Sequence, residues 1–371
     1  MRNDRSDVDV NENDAGLEPA EVAVPPRKAE RLLCDLWPNV MAGTSPRRVL
    51  ATTLGRGQAA AFIAAQHRES AVVLSLLDQF QTDVVRAANV AAPVNLDIRC
   101  EPDFTVDDLD GAAIPVSSQG EAELTRERLQ DAYLRLKPDG LLLATTDNPR
   151  DSWLQEVLES FGPPVRRIPA SEGVGYVVRR AESSPKRIRD FSCEFVFRDA
   201  ERLLKAKSRP GVFSHRRVDP GARRLLDVLE VRDGERVLDV GCGWGTVGLA
   251  AACRANVTVE SLDSHTRAVA CTTRNAELND VAARLTVRVE PYGRIESPGT
   301  FDLALANPPY YAQFQIAERF VFAAQSALRS GGQLWIVAKH PEWYEERLPG
   351  PFTDVTVREA KGYVLIGGRK R

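Results

Sequence analysis

The chain contains no run of about eighteen apolar residues, and its opening stretch "MRNDRSDVDVNENDAGLEPAEVAVPP" is acidic with no apolar centre. A membrane span and a signal peptide are both unexpected, and no membrane partner is predicted. The six cysteines (Cys34, Cys100, Cys193, Cys242, Cys253 and Cys271) include no CxxC pair, and the four histidines do not cluster with them. That spacing excludes a disulfide framework and a zinc site, so no metal is predicted and the reducing cytoplasm is the expected compartment. Nor is there a strong charge of either sign. The net charge is −3, so only local clustering of cations could mark a nucleic-acid partner.

What the chain does have is length and rhythm. At 371 residues it exceeds one ordinary core, and two domains are expected. Residues 1–28 read as a disordered acidic tail. From Arg48 onward, short apolar runs alternate with helical ones: "RRVLATTL", "AVVLSLL", "NLDIRC", "GLLLATT" and "GVGYVVRR". The alternation predicts a parallel, doubly wound α/β sheet. A second series follows in the same order: "ERVLDVGCGWG", "VTVESLD", "RLTVRVE", "FDLALANPP", "GQLWIVA" and "GYVLIGGRK". Punctuation repeats with it. The segment Leu136–Ile168 lies over Leu328–Val357, sharing the turn glycine, the apolar strand and a Pro followed by a Trp, and each copy closes on "GYV". Internal duplication is the reading, with domains at residues 29–182 and 231–371. Where the second copy has "LDVGCGWGT" the first has "LATTLGRGQ", without the acid or the first glycine, so the N-terminal copy is expected to be degenerate.

Residues 183–230 form a basic linker and lead-in segment. Lys186–Arg224 carries twelve Lys and Arg against five Asp and Glu, interleaved with Phe191, Phe195, Phe197 and Phe213. Two readings fit: a groove for single-stranded RNA, where cations meet phosphates and flat rings meet bases, or a connector whose aromatics pack on either domain. An amphipathic helix at "AERLLKAK" belongs to the second.

"RVLDVGCGWGTVGLA" is an apolar strand ending at an acid, then Gly241, Gly243 and Gly245 at alternate positions, then a helical segment. Glycines permit close approach of a ligand to backbone. The next strand, "VTVESLD", ends in Asp263, a carboxylate placed to accept the hydroxyls of a ribose. The loop resembles motif I of class I S-adenosylmethionine-dependent methyltransferases. The resemblance implies S-adenosylmethionine as cofactor and a Rossmann-like fold for both tandem domains. It also implies a binding set of Asp239, Gly241, Cys242, Gly243, Gly245, Asp263 and Ser264, with Tyr292 near the adenine position as a packing residue.

Asn307-Pro308-Pro309-Tyr310 follows the fourth strand of the second series and resembles the (D/N/S)PP(Y/F/W) motif of methyltransferases acting on exocyclic or amide nitrogens. The resemblance makes these four the catalytic residues. The Asn307 side chain and Pro308 carbonyl would accept the amine N–H groups, Pro309 would help fix the turn, and Tyr310 would stack on the base. "RPGVFSHRRVDPGARRLLDVL" resembles the "PGVFS…LDxGxxLL" segment of the ribosomal small-subunit RNA guanine-N2 methyltransferases, which also carry a degenerate N-terminal copy. "NPPYY" stands where the bacterial enzymes usually have a Phe-His pair. The implied activity is methyl transfer to guanine N2, with ribosomal RNA or the small ribosomal subunit as partner. A methyltransferase for another planar nitrogen (adenine N6 or protein glutamine) and a non-catalytic RNA-binding or assembly module remain the alternatives. His215 and His340 are expected at the surface.

Overall fold

The computed structural model describes residues 24–182, 188–309 and 314–371, so most of the acidic tail, the linker cations Lys186 and Arg187, and Tyr310 lie outside the described residues. The first domain comprises α1 (Lys28–Val40), β1 (Arg48–Ala51), α2 (Gln58–Gln66), β2 (Ala71–Leu76), α3 (Gln79–Ala88) and β3 (Leu96–Cys100). It continues through β4 (Leu109–Val116), α4 (Ala122–Arg135), β5 (Leu136–Thr146), α5 (Trp153–Glu159), β6 (Val165–Ala170) and β7 (Gly173–Arg179). A hairpin of β8 (Cys193–Asp199) and β9 (Arg202–Ser208) leads to the second domain. There α6 (Pro220–Val228), β10 (Arg236–Val240), α7 (Thr246–Arg254), β11 (Thr258–Asp263), α8 (Thr266–Leu278) and β12 (Leu285–Val289) come first. They precede β13 (Phe301–Ala306), α9 (Gln315–Ala327), β14 (Leu328–Ala338), α10 (Glu342–Arg347), β15 (Phe352–Glu359) and β16 (Val364–Lys370).

Each domain is one seven-stranded sheet, ordered β3-β2-β1-β4-β5-β7-β6 in the first and β12-β11-β10-β13-β14-β16-β15 in the second. The two orders are the same, and so is the pairing: Val49 opposes Val72 and Gly111 as Val237 opposes Val259 and Leu303. The expected pair of Rossmann-like domains is therefore borne out, with an antiparallel pair added at one edge of each sheet. Both faces of each sheet are covered, which is why the central strands read as almost unbroken apolar runs. Strand β4 is absent from the apolar runs picked out in the sequence because Gly111 and Pro115 interrupt it.

The "AERLLKAK" segment is strand β9 and not a helix. Its alternation turns Leu204 and Ala206 inward, and the hairpin rests Phe195 and Phe197 edge-on against Trp244. The exposed edge of β9 is closed by amides: Asn275 and Asn279 each bond both backbone groups of Lys207 and Lys205. Cations of this segment are also engaged. Arg209 bonds Asp103 and Glu127 of the first domain, and Arg216 bonds Glu123. His215 is a second correction, because its ring is largely buried, with Nδ1 at 2.9 Å from the Ser208 hydroxyl; His340 is exposed.

The domains meet through equivalent loops. The Gln79 N–H donates to the Ser264 carbonyl and the Thr266 N–H to the Leu77 carbonyl, each at 2.8 Å, so that Asp78 and His265 face each other as an antiparallel bridge. Strand register makes Asp78 the counterpart of His265, as both stand at the N-cap position of the helix that follows the second strand, where only Asp78 caps with its side chain.

Candidate active site

Strand β10 runs into a loop in which Gly241, Gly243 and Gly245 all have positive φ. A Cβ at Gly241 would stand 2.5 Å from the Phe320 ring, and one at Gly243 would collide with the Phe213 carbonyl, so neither position has room for a side chain even without a ligand. Beneath the loop, the Asp239 Oδ2 accepts the Gly248 N–H at 2.8 Å and ties the strand to the start of α7. Burial pushes its carboxyl up to about 7. At the tip of β11, Asp263 accepts the Gly243 N–H with one oxygen and the His265 N–H with the other, both at 2.9 Å. Burial raises this carboxyl too, to about 6.

Gly241, Gly243, Asp263, Ser264, Asn307, Pro308 and Pro309 line one cavity of about 920 Å³ at the carboxyl edge of the second sheet. That is the edge at which open α/β folds take ligands, and the volume is that of a ligand-binding cleft. Asp239, Cys242 and Gly245 are not among its lining residues. The Cys242 thiol instead lies 3.4 Å from the Thr272 hydroxyl, and Gly245 begins α7. Ser264 lines the cavity but gives its hydroxyl to Asp78 of the first domain, and the Tyr292 hydroxyl donates to Asp83 of that domain at 2.8 Å. Tyr292 is thus an interdomain latch as well as a packing residue.

Asp219 is a residue that sequence reasoning missed. Its Oδ2 accepts the Ala222 N–H at 2.9 Å, capping α6, and the Asn307 Nδ2 at 2.8 Å. A carboxylate only accepts, so it fixes which way the Asn307 amide faces: nitrogen toward Asp219, oxygen away. The signal available in the sequence was an Asp-Pro-Gly at a helix start, which announces the cap but not the partner 88 residues on.

The same place in the first copy is closed. By strand register Ala51 replaces Asp239, Leu76 replaces Asp263 and Pro115 replaces Asn307. Glu30 of α1 lies over the loop, accepting the Thr53 hydroxyl and, at 3.3 Å, the Leu54 N–H.

The methyltransferase small domain family matches residues 204–367. Protein YbxB of Bacillus subtilis (strain 168) is 33% identical over 166 residues, 43% of this chain and 83% of that protein. The chain belongs to the methyltransferase small domain family. This methyltransferase is also 37% identical over 162 residues to the ribosomal RNA small subunit methyltransferase C of Chromohalobacter salexigens, covering 40% of this chain and 47% of that protein. The corresponding protein of Shewanella loihica is 30% identical over 197 residues, 51% of this chain and 56% of its own length. The chain thus spans about half the length of these two curated relatives. The solved T. thermophilus 16S rRNA N2 guanine methyltransferase, in complex with AdoMet and guanosine, matches with a TM-score of 0.74. At 20% identity, over 93% of this chain and 92% of that one, the likeness is one of fold and takes in both domains.

Proposed function

We propose that the second domain, residues 231–371, transfers a methyl group from S-adenosylmethionine to the exocyclic N2 amine of a guanine in small-subunit ribosomal RNA, acting in the cytoplasm. The observation that carries the reading is the oriented Asn307 carboxamide, held by Asp219 in the same cavity as the glycine loop and Asp263. The matched ribosomal RNA methyltransferases support the substrate class.

The cavity's residues suit this cofactor: Gly241 and Gly243 line it with backbone alone, and Asp263 offers acceptors for two ribose hydroxyls. When bound, S-adenosylmethionine supplies a methyl on a positively charged sulfur, already activated for attack. The work left to the chain is to improve a poor nucleophile. An aryl amine's lone pair is delocalised into its ring, and two acceptors, the Asn307 amide oxygen and the Pro308 carbonyl, draw its N–H groups out of that plane. Because the amide orientation is set before substrate arrives, no reorganisation is needed at the moment of reaction. Pro308 and Pro309 restrict the backbone that presents the carbonyl. No strong base is required, since the nitrogen's proton passes readily to water once the nitrogen is alkylated.

Asn307→Ala is the test. Turnover on small ribosomal subunits or their RNA should fall about a hundredfold to a thousandfold, the usual loss for one preorganised partner at a reacting centre. S-adenosylmethionine affinity by calorimetry should stay within a few-fold. The product, by nucleoside mass spectrometry, should be N2-methylguanosine; N6-methyladenosine would overturn the substrate, and near-wild-type turnover would overturn the role of Asn307.

A further inference from the structure

The cavity does not belong to the second domain alone. Asp78 and Phe80 of the first domain line it beside Glu290, Pro291, Gly293 and Arg319. Phe80 sits in the first turn of α3, and that turn is fixed: Asp78 accepts the Gln81 N–H with Oδ1 at 2.8 Å and the Ser264 hydroxyl with Oδ2 at 2.5 Å. The ring meets Tyr292 edge-on at 6.0 Å, and the Arg319 guanidinium lies 4.4 Å over it. The strand tip it borders, Glu290-Pro291, adjoins Asp263 directly, because the Glu290 N–H donates to the Asp263 carbonyl at 2.9 Å. A base attached to a ribose held at Asp263 extends toward that tip.

The repeat supplies an internal control. Strand register makes Glu101-Pro102 the counterpart of Glu290-Pro291, and Glu101 likewise donates its N–H to the end of the preceding strand, the Leu76 carbonyl, at 2.9 Å. The counterpart of Phe80 is Arg267 on α8. Each domain therefore inserts the same helical position into the other's third-strand tip. In the vestigial copy Arg267 is buried there, bonding the Pro102 and Pro210 carbonyls and pairing with Glu127. A guanidinium thus fills the third-strand tip of the first copy, whereas at the tip that borders the cavity the inserted residue is a flat, apolar ring.

We propose that the first domain, having lost a site of its own, completes the cofactor site of the second, with Phe80 as the wall against which the adenine of S-adenosylmethionine packs. The inference rests on the cofactor reading given above. It is tested on the full chain by calorimetry with S-adenosylmethionine and with adenosine. Phe80→Ala should weaken both ligands about fivefold to a hundredfold, the range for losing an aromatic partner of a base. Phe80→Tyr should restore affinity to within about threefold, because the flat face returns. The loss in the Ala variant should fall on the KM for S-adenosylmethionine more than on kcat. Should Phe80→Ala fail to fold, Phe80→Leu keeps apolar bulk without the flat face and should still bind several-fold more weakly. Wild-type affinity in whichever of these variants folds, alongside a weakened Asp263→Ala, would overturn the inference and leave the cofactor reading standing. Loss of S-adenosylmethionine binding with adenosine binding intact would overturn the assignment to adenine. Unchanged binding in the Phe80 variant and Asp263→Ala alike would overturn the cofactor site itself.

Discussion

Asp219→Ser separates the two duties of one carboxylate. Serine retains an oxygen able to cap α6 through the Ala222 N–H, but its shorter side chain withdraws the acceptor now 2.8 Å from the Asn307 Nδ2. A hydrogen bond to a charged group contributes about 1.5–3 kcal/mol, and each 1.4 kcal/mol or so is a factor of ten. Without it the Asn307 Nδ2 loses its charged acceptor, and the preference for presenting oxygen to the amine weakens. Single-turnover methyl transfer to small ribosomal subunits should therefore slow by about tenfold to a hundredfold. S-adenosylmethionine affinity should hold within about threefold, and the melting temperature should change little. Asp219→Ala would lose the cap as well, about 1 kcal/mol more, and should melt earlier. Turnover of the Ser variant within twofold or so of wild type would refute the reasoning, because the amide would then not depend on Asp219 to face correctly.

Asp263→Ala should weaken S-adenosylmethionine at least about tenfold by removing charge-assisted bonds to ribose, checked by calorimetry; an unchanged affinity would take Asp263 out of the site. The two buried acids make a pH prediction whose sign follows from their direction of shift. Both are raised above the ordinary carboxylate range, Asp239 to about 7 and Asp263 to about 6, so their protonated forms favour folding at low pH and that contribution is lost as pH rises toward 7. A cationic ligand with hydroxyl donors selects the ionised acids. Cofactor binding should thus release protons near pH 6 and tighten as pH rises from 5 to about 8, which calorimetry in buffers of different ionisation enthalpy would detect; pH-independent affinity would count against it.

The duplication was legible because glycine turns, a Pro-Trp spacing and terminal GYV strands are local marks that survive in sequence. The glycine loop and Asn307 could be read for the same reason. What escaped were partners distant along the chain. At "AERLLKAK" seven or eight residues of mixed charge and leucine suit a helix as well as a strand, and the contacts that decide for the hairpin come from Trp244 and the amides of Asn275 and Asn279. No local mark in the sequence distinguishes Phe80 and Asp83, because what they contribute is a surface presented to the neighbouring domain. Asp219 carried a capping signature that explained it fully without any reference to Asn307.

The antiparallel exchange between Leu77–Gln79 and Ser264–Thr266 joins one loop to its own counterpart, the geometry of an isologous contact in a twofold dimer. Here both halves belong to one polypeptide, so the association is intramolecular and dilution cannot separate them. Two identical subunits must accept every substitution at both ends of such a contact. A fused pair is released from that constraint: at one and the same helical position it carries Phe80 in one half and Arg267 in the other, and each meets a different strand tip.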